Sequence, residues 1–131
     1  MKFEVIGKIK GKARPRFGKY GAYTPTGTVN YENLVKISYL NARGINYHDC
    51  PIKMQIQAIF EPPKSTSKKK LEEMIKGEPV LKKPDTDNIA KIVADALNKV
   101  AYNDDSQICD MSITKKYGEQ EKLIIDIEGG I

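Results

Sequence analysis

The run Lys83-Pro84-Asp85-Thr86-Asp87-Asn88, continued by Ile89 to Val100 and closed by Tyr102-Asn103-Asp104-Asp105-Ser106-Gln107, decides how the rest of the chain is read. Ile89, Ile92, Val93, Ala96, Leu97 and Val100 recur at i, i+3, i+4, i+7, i+8 and i+11. That spacing predicts a helix from Asn88 to about Lys99 with one stripe buried along its whole length. Four carboxylates, Asp85, Asp87, Asp104 and Asp105, bracket it. The chain as a whole is basic, with 22 Lys and Arg against 17 Asp and Glu and a net charge of +5. A concentrated acidic spot on a basic protein suggests a polyanion outside and a metal ion inside.

Pro84 pushes the residue before it out of the helical region, so Asp85-Thr86-Asp87 is expected to enter the helix from an extended segment. Residues two apart in an extended segment face the same way, and Asp85 and Asp87 would then converge on one ion. Their hard oxygens suit Mg²⁺, with Mn²⁺ able to replace it, and leave the remaining octahedral positions to water and phosphate. The plain alternative is that Asp87 or Asn88 caps the helix and Asp85 is solvated. Asp104 and Asp105 supply a second pair just before a strand, and Lys91 stands in the first turn of the helix. A divalent ion with a nearby ammonium is the equipment for phosphodiester hydrolysis. Lys91 is also spaced for an i, i+4 ion pair with Asp95, and the two roles are compatible.

Upstream, Phe3, Val5 and Ile9 predict a first strand over roughly residues 2–10. Residues 11–25 follow, rich in glycine, cations and aromatics, with a hairpin expected around Gly18 to Gly21. Lys12, Arg14, Arg16 and Lys19, interleaved with aromatic rings, suit a phosphate backbone and exposed base faces. Asn30 to Asn46 reads as a helix capped by Asn30, with Tyr31, Leu34, Val35, Ser38 and Ala42 on its inner stripe. Ile52 to Phe60 alternates cleanly as a strand and ends at Pro62-Pro63. A lysine-dense segment then predicts a short helix over about Ser67 to Lys76, burying Leu71, Met74 and Ile75. Its Lys68, Lys69 and Lys70 form either a solvated face or a phosphate grip. Downstream of the acidic pair, Cys109 to Thr114 and Leu123 to Glu128 read as two strands joined through Gly118 into a terminal antiparallel hairpin.

The resulting order predicts a single α+β domain over residues 1–131. Its mixed, mostly antiparallel sheet of about four strands is covered mainly on one face by two main helices. No apolar run approaches the roughly 20 residues of a membrane span, and Met1 to Ile6 lacks the apolar core of a signal peptide, so the expected location is cytoplasmic. Cys50 and Cys109 lie far apart, and neither pairs with the lone His48 in metal-binding spacing, so both read as small buried residues in a reducing compartment.

Arg14-Pro15-Arg16, Tyr23-Thr24-Pro25, Lys83-Pro84-Asp85-x-Asp87-Asn88-x-x-Lys91, Asp95-Ala96-Leu97 and Asp104-Asp105-x-Gln107 together resemble the RusA family of Holliday junction resolvases. The resemblance spans most of the chain in consistent order. It implies a bacterial or prophage-encoded, Mg²⁺-dependent homodimeric endonuclease that cuts opposed strands of a four-way DNA junction, with no small-molecule cofactor. By position it assigns Asp85, Asp87 and Asp105 as essential acids, Lys91 as the essential lysine and Asp104 as a neighbouring acid. The competing expectation is a non-catalytic, structure-selective DNA-binding module in which the carboxylates are caps and surface charge. An Asp-x-Asp phosphatase is weaker still, because no apolar strand precedes Lys83.

The spacing itself poses a difficulty. A helix from Asn88 to Lys99 is roughly 18 Å long, so Asp104 and Asp105 begin at the end far from Asp85 and Asp87. Six extended residues span about 20 Å and only just permit a return. Helix bending or the symmetry of a dimer would have to close the site, with Asp105 of one subunit facing Asp85 and Asp87 of the other.

Overall fold

The computed structural model describes residues 1–130. Its order is β1 (Lys2–Ile6), β2 (Arg16–Gly18), β3 (Gly21–Tyr23), α1 (Thr26–Asn41), β4 (Ile52–Phe60), α2 (Lys68–Gly77), α3 (Thr86–Ala96), β5 (Ile108–Tyr117) and β6 (Lys122–Gly129). β4 is the axis of the sheet. Its Ile52, Met54, Ile56, Ala58 and Phe60 are buried on one face, while Gln55 and Gln57 are exposed on the other. Four strands form one sheet in the order β1-β6-β4-β5, in which β1 and β4 run antiparallel to β6 and β5 runs parallel to β4. The fold is therefore α+β with a mixed sheet, as the alternation predicts, plus a separate two-stranded ribbon formed by β2 and β3.

The expected terminal hairpin does not form. β5 and β6 lie on opposite sides of β4. Gly118 makes a crossing rather than a tight turn: its N–H donates to the Phe60 carbonyl at 2.9 Å, and a Cβ there would lie 2.4 Å from Ile59 Cγ2. Spacing alone could not distinguish the two arrangements. Inserting β4 between β5 and β6 gives the most apolar strand a hydrogen-bonded partner on each side, which its buried backbone requires. A bulge between Ile52 and Lys53 leaves Cys109 without an opposite residue, and the thiol is exposed rather than buried.

α1 and α3 pack on the apolar sheet face, where Tyr31, Val35, Tyr39, Ile89, Ile92 and Val93 meet Phe3, Val5, Met54, Ile56 and Ile125 in one core. α1 begins at Thr26, four residues ahead of the expected Asn30 cap. Pro25 already has an extended backbone, and its carbonyl accepts the Thr28 and Val29 amides. Its inner face carries Thr28, Tyr31, Val35 and Tyr39, and Leu34, expected there, is exposed. β1 stops at Ile6 because Gly7 has φ 118, yet Ile9 is buried beyond it. α2 carries its Ser67 cap, the hydroxyl accepting the Lys70 amide at 3.3 Å. It buries Met74, with Leu71 and Ile75 left exposed. Among the described residues no helix is long and apolar enough to cross a membrane.

Candidate active site

α3 starts at Thr86, one residue after Asp85 rather than after Asp87. Asp85 is the N-cap, with φ −71 and ψ 155, and Asp87 already lies in the first helical turn. The extended-segment argument for their convergence therefore fails. Two residues of helix rotate the side chains by roughly 200° about the axis. Both are at the end of the helix, and helical side chains lean toward the N-terminus, so the pair still projects from the same exposed tip. Asp87 also lies in the favourable field of the helix start. Asp85 makes no side-chain capping bond. Among the described residues the ion pairs of α3 run through Lys91 and Asp95, which leaves both carboxylates unpaired.

Lys91 follows Asp87 by one turn, and its exposed ammonium pairs with Asp95 at 3.6 Å, as the i, i+4 spacing predicts. Asp95 does more than that. It also accepts Lys12 at 3.2 Å, and Lys12 in turn reaches Glu32 of α1 at 3.2 Å. Partial burial acts to lower the Lys12 pKa, but hydrogen bonds to Asp95 and Glu32 outweigh it and hold the ammonium above its ordinary 10.5. Lys12, expected on the DNA-facing loop, is thus a tie between α1, α3 and the segment before β2. Its amide also donates to the Asn88 carbonyl at 2.9 Å. Neither Glu32 nor this second role of Asp95 was legible in the sequence, because the three residues meet only through the packing of α1 against α3.

Beside Asp85 a shallow cleft of about 370 Å³ is lined by Lys8, Lys10, Lys12, Lys83 and Asn88. Cations thus surround an unpaired carboxylate, an arrangement that draws a phosphodiester toward it. Arg14, Arg16 and Lys19 are exposed on and before the β2–β3 ribbon. On α2, Lys70 is tied to Glu78, whose hydrogen bond raises the Lys70 pKa. Lys68 and Lys69 are exposed and make no ion pair among the described residues.

Asp104 and Asp105 differ sharply. Asp104 caps the 3-10 turn Asp105–Gln107: its carboxylate accepts the Ser106 amide at 3.1 Å, and Gln107 Oε1 accepts the Asp104 amide at 3.1 Å. Hydrogen bonding from Ser106 holds the Asp104 pKa below its ordinary 3.8. Gln107 Nε2 donates to the Cys50 carbonyl at 3.0 Å, which fixes the turn against the loop before β4. Asp105 is half-buried near Tyr102. Burial pushes the Tyr102 phenol upward, with the Asp105 and Asp95 carboxylates adding to the effect, and the Tyr102 hydroxyl donates to the Ala94 carbonyl at 2.6 Å. Ala94, which the Tyr102 hydroxyl reaches, is roughly 13 Å of helical rise from Asp85, and Asp105 is on the Tyr102 side of α3 rather than at its N-terminal tip.

Among the described residues no three His, Cys, Asp or Glu side chains stand together as a metal cluster. By donor type, Asp85 and Asp87 offer the hard carboxylate oxygens that Mg²⁺ takes, one or two at a time, with water and substrate phosphate in its other positions.

The family model described as Endodeoxyribonuclease RusA matches residues 7–128. The chain is also 34% identical over 135 residues to the uncharacterized protein YqaN of Bacillus subtilis (strain 168), an alignment covering 97% of this chain and 94% of that protein.

Proposed function

Because the chain belongs to the RusA endodeoxyribonuclease family, we propose that it is a Mg²⁺-dependent endonuclease that resolves four-way DNA junctions by cutting opposed strands. The observation carrying this reading is the pair of unpaired carboxylates, Asp85 and Asp87, at the exposed tip of α3 beside a lysine-lined cleft. Helix caps and surface charge have no need of that combination.

Asp85 and Asp87 would hold the ion, which when bound supplies Lewis acidity and a water of lowered pKa. Lys8, Lys10 and Lys83 draw the phosphodiester to the cleft and orient its non-bridging oxygens. Lys91, one turn along α3, offers an ammonium to the charge that builds on phosphorus and the leaving oxygen. Asp95 restrains the Lys91 side chain from behind. The rigid helix and the Lys12 bridge keep the carboxylates and cations in register while the strand is cut.

The association of Asp105 with Tyr102, whose hydroxyl meets α3 at Ala94 rather than at its tip, favours a homodimer in which Asp105 of one subunit completes the acids of the other. Two such sites related by a two-fold axis match the symmetry of a junction that must be cut in opposed strands.

The test is a cleavage gel with four-way junction, flap and linear duplex, with Mg²⁺ or with chelator. Paired nicks in the junction that need Mg²⁺, with the linear duplex intact, are expected. Salt-sensitive binding without scission in Mg²⁺ or Mn²⁺ would reject the enzyme in favour of a binding module.

A further inference from the structure

The β2–β3 ribbon carries two large aromatic side chains that the fold does not use. Phe17 is 88% exposed and Tyr20 is 94% exposed. The register pairs Arg16 with Tyr23, Phe17 with Ala22 and Gly18 with Gly21. Side chains alternate across a ribbon, so Phe17 stands on the face opposite Arg16 and Tyr23, with only a methyl group beside it. Tyr23 lies over bare Gly18, where a Cβ would meet its ring at 3.1 Å. Tyr20 projects from the turn with Lys19 Nζ 5.8 Å from its ring. A two-stranded ribbon of three-residue strands is marginal by itself, and two solvated rings add nothing to its stability.

Charge and position say what the rings meet. Residues 11–25 contain Lys12, Arg14, Arg16 and Lys19 and no acidic residue. The root of the ribbon is fastened to the proposed cutting site: the Lys12 amide bonds to Asn88 at 2.9 Å, and a Cβ on Gly11 would lie 2.8 Å from Pro84. From Lys12 to Tyr20 the chain reaches at most about 27 Å, less than the roughly 34 Å of one duplex turn, so the rings stay within about a turn of a phosphate held at the tip of α3.

We propose that Phe17 and Tyr20 stack on bases opened at the branch point of the DNA, so that the β2–β3 ribbon distinguishes branched from linear DNA. The assignment rests on the junction-endonuclease reading. Aromatic stacking needs an exposed base face, and an intact linear duplex offers one only at its ends, whereas base pairs at a branch lose a stacking neighbour. The cations flanking the rings hold the phosphates and contribute equally to any DNA.

The experiment measures binding of the full chain, in chelator, to a four-way junction with 2-aminopurine at the branch point and to linear duplex of the same sequence. For F17A/Y20A, junction affinity should fall by about 10-fold or more, from the usual strength of base stacking on two rings. The 2-aminopurine response should disappear, while duplex affinity, salt slope and melting temperature stay at wild-type values. F17Y/Y20F should restore junction binding. R16A/K19A should lower the salt slope on both DNAs by about 2. Retention of the wild-type junction preference by F17A/Y20A would overturn the assignment of the ribbon alone. So would conversion of the chain from dimer to monomer by F17A/Y20A, which would make the rings a contact between subunits. A wild-type chain binding junction no more tightly than duplex would remove the functional reading itself, and this inference with it.

Discussion

Asp104 and Asp105 are adjacent, yet one holds a turn and the other keeps its carboxylate clear of such a bond. Asp104 accepts the Ser106 amide, so D104A removes a cap and should lower the melting temperature by a few degrees. D105N should leave the melting temperature at the wild-type value and abolish junction cleavage. Calorimetry paired with a cleavage gel separates the two; equal effects on melting would contradict this division. The pH dependence has a definite sign. The Asp104 pKa is depressed below 3.8 in the folded chain, so its contribution is complete above that value and lost as pH falls below it toward the folded pKa. At this scale residue type and spacing were enough to propose Asp85, Asp87, Asp105 and Lys91 as the chemical groups. Their arrangement was not legible: the reading assumed an extended Asp85-Thr86-Asp87, and two additional residues of helix placed Asp87 in the first turn. Phe17 and Tyr20 were read only as part of an aromatic-rich loop, since their exposure depends on what the ribbon fails to pack against.

Among the elements, β4 and α3 stood out because their periodicity is long and unbroken, whereas α2 was placed by its Ser67 cap and Gly77 although only Met74 of its expected stripe is buried. The pairing of β5 and β6 did not stand out, for a physical reason. A short glycine-containing link is compatible with either a turn or a crossing, and only the claim of β4 on two partners decides between them. Gly118 carries that decision. G118A should cost about 1–3 kcal/mol in urea unfolding, since the new methyl group would enter the space of Ile59 Cγ2 where the chain crosses β4. A neutral result would mean that the crossing is looser than the 2.4 Å contact implies. The start of α1 was also misplaced, because Pro25 set it locally, and the inner face carries Thr28 and Tyr39 where Leu34 and Ser38 were expected.

For the molecule as a whole, the proposed function joins the basic surface and the acidic tip of α3 in one design, in which cations would gather DNA and a few unpaired carboxylates would act on it. One chain places Asp85 and Asp87 at the start of α3 and Asp105 on its Tyr102 side, and the proposed remedy is a two-fold dimer sharing its sites. The most direct measurement uses a single junction, cut in Mg²⁺ by wild type, D85N, D105N and a purified, differently tagged D85N/D105N heterodimer. Wild type should nick both opposed strands. Each variant homodimer should bind without cutting, and the heterodimer, which retains one intact shared site, should nick one strand per junction. Cleavage by either variant homodimer at the wild-type rate would contradict the assignment of the acids, and an inactive heterodimer would contradict the shared site.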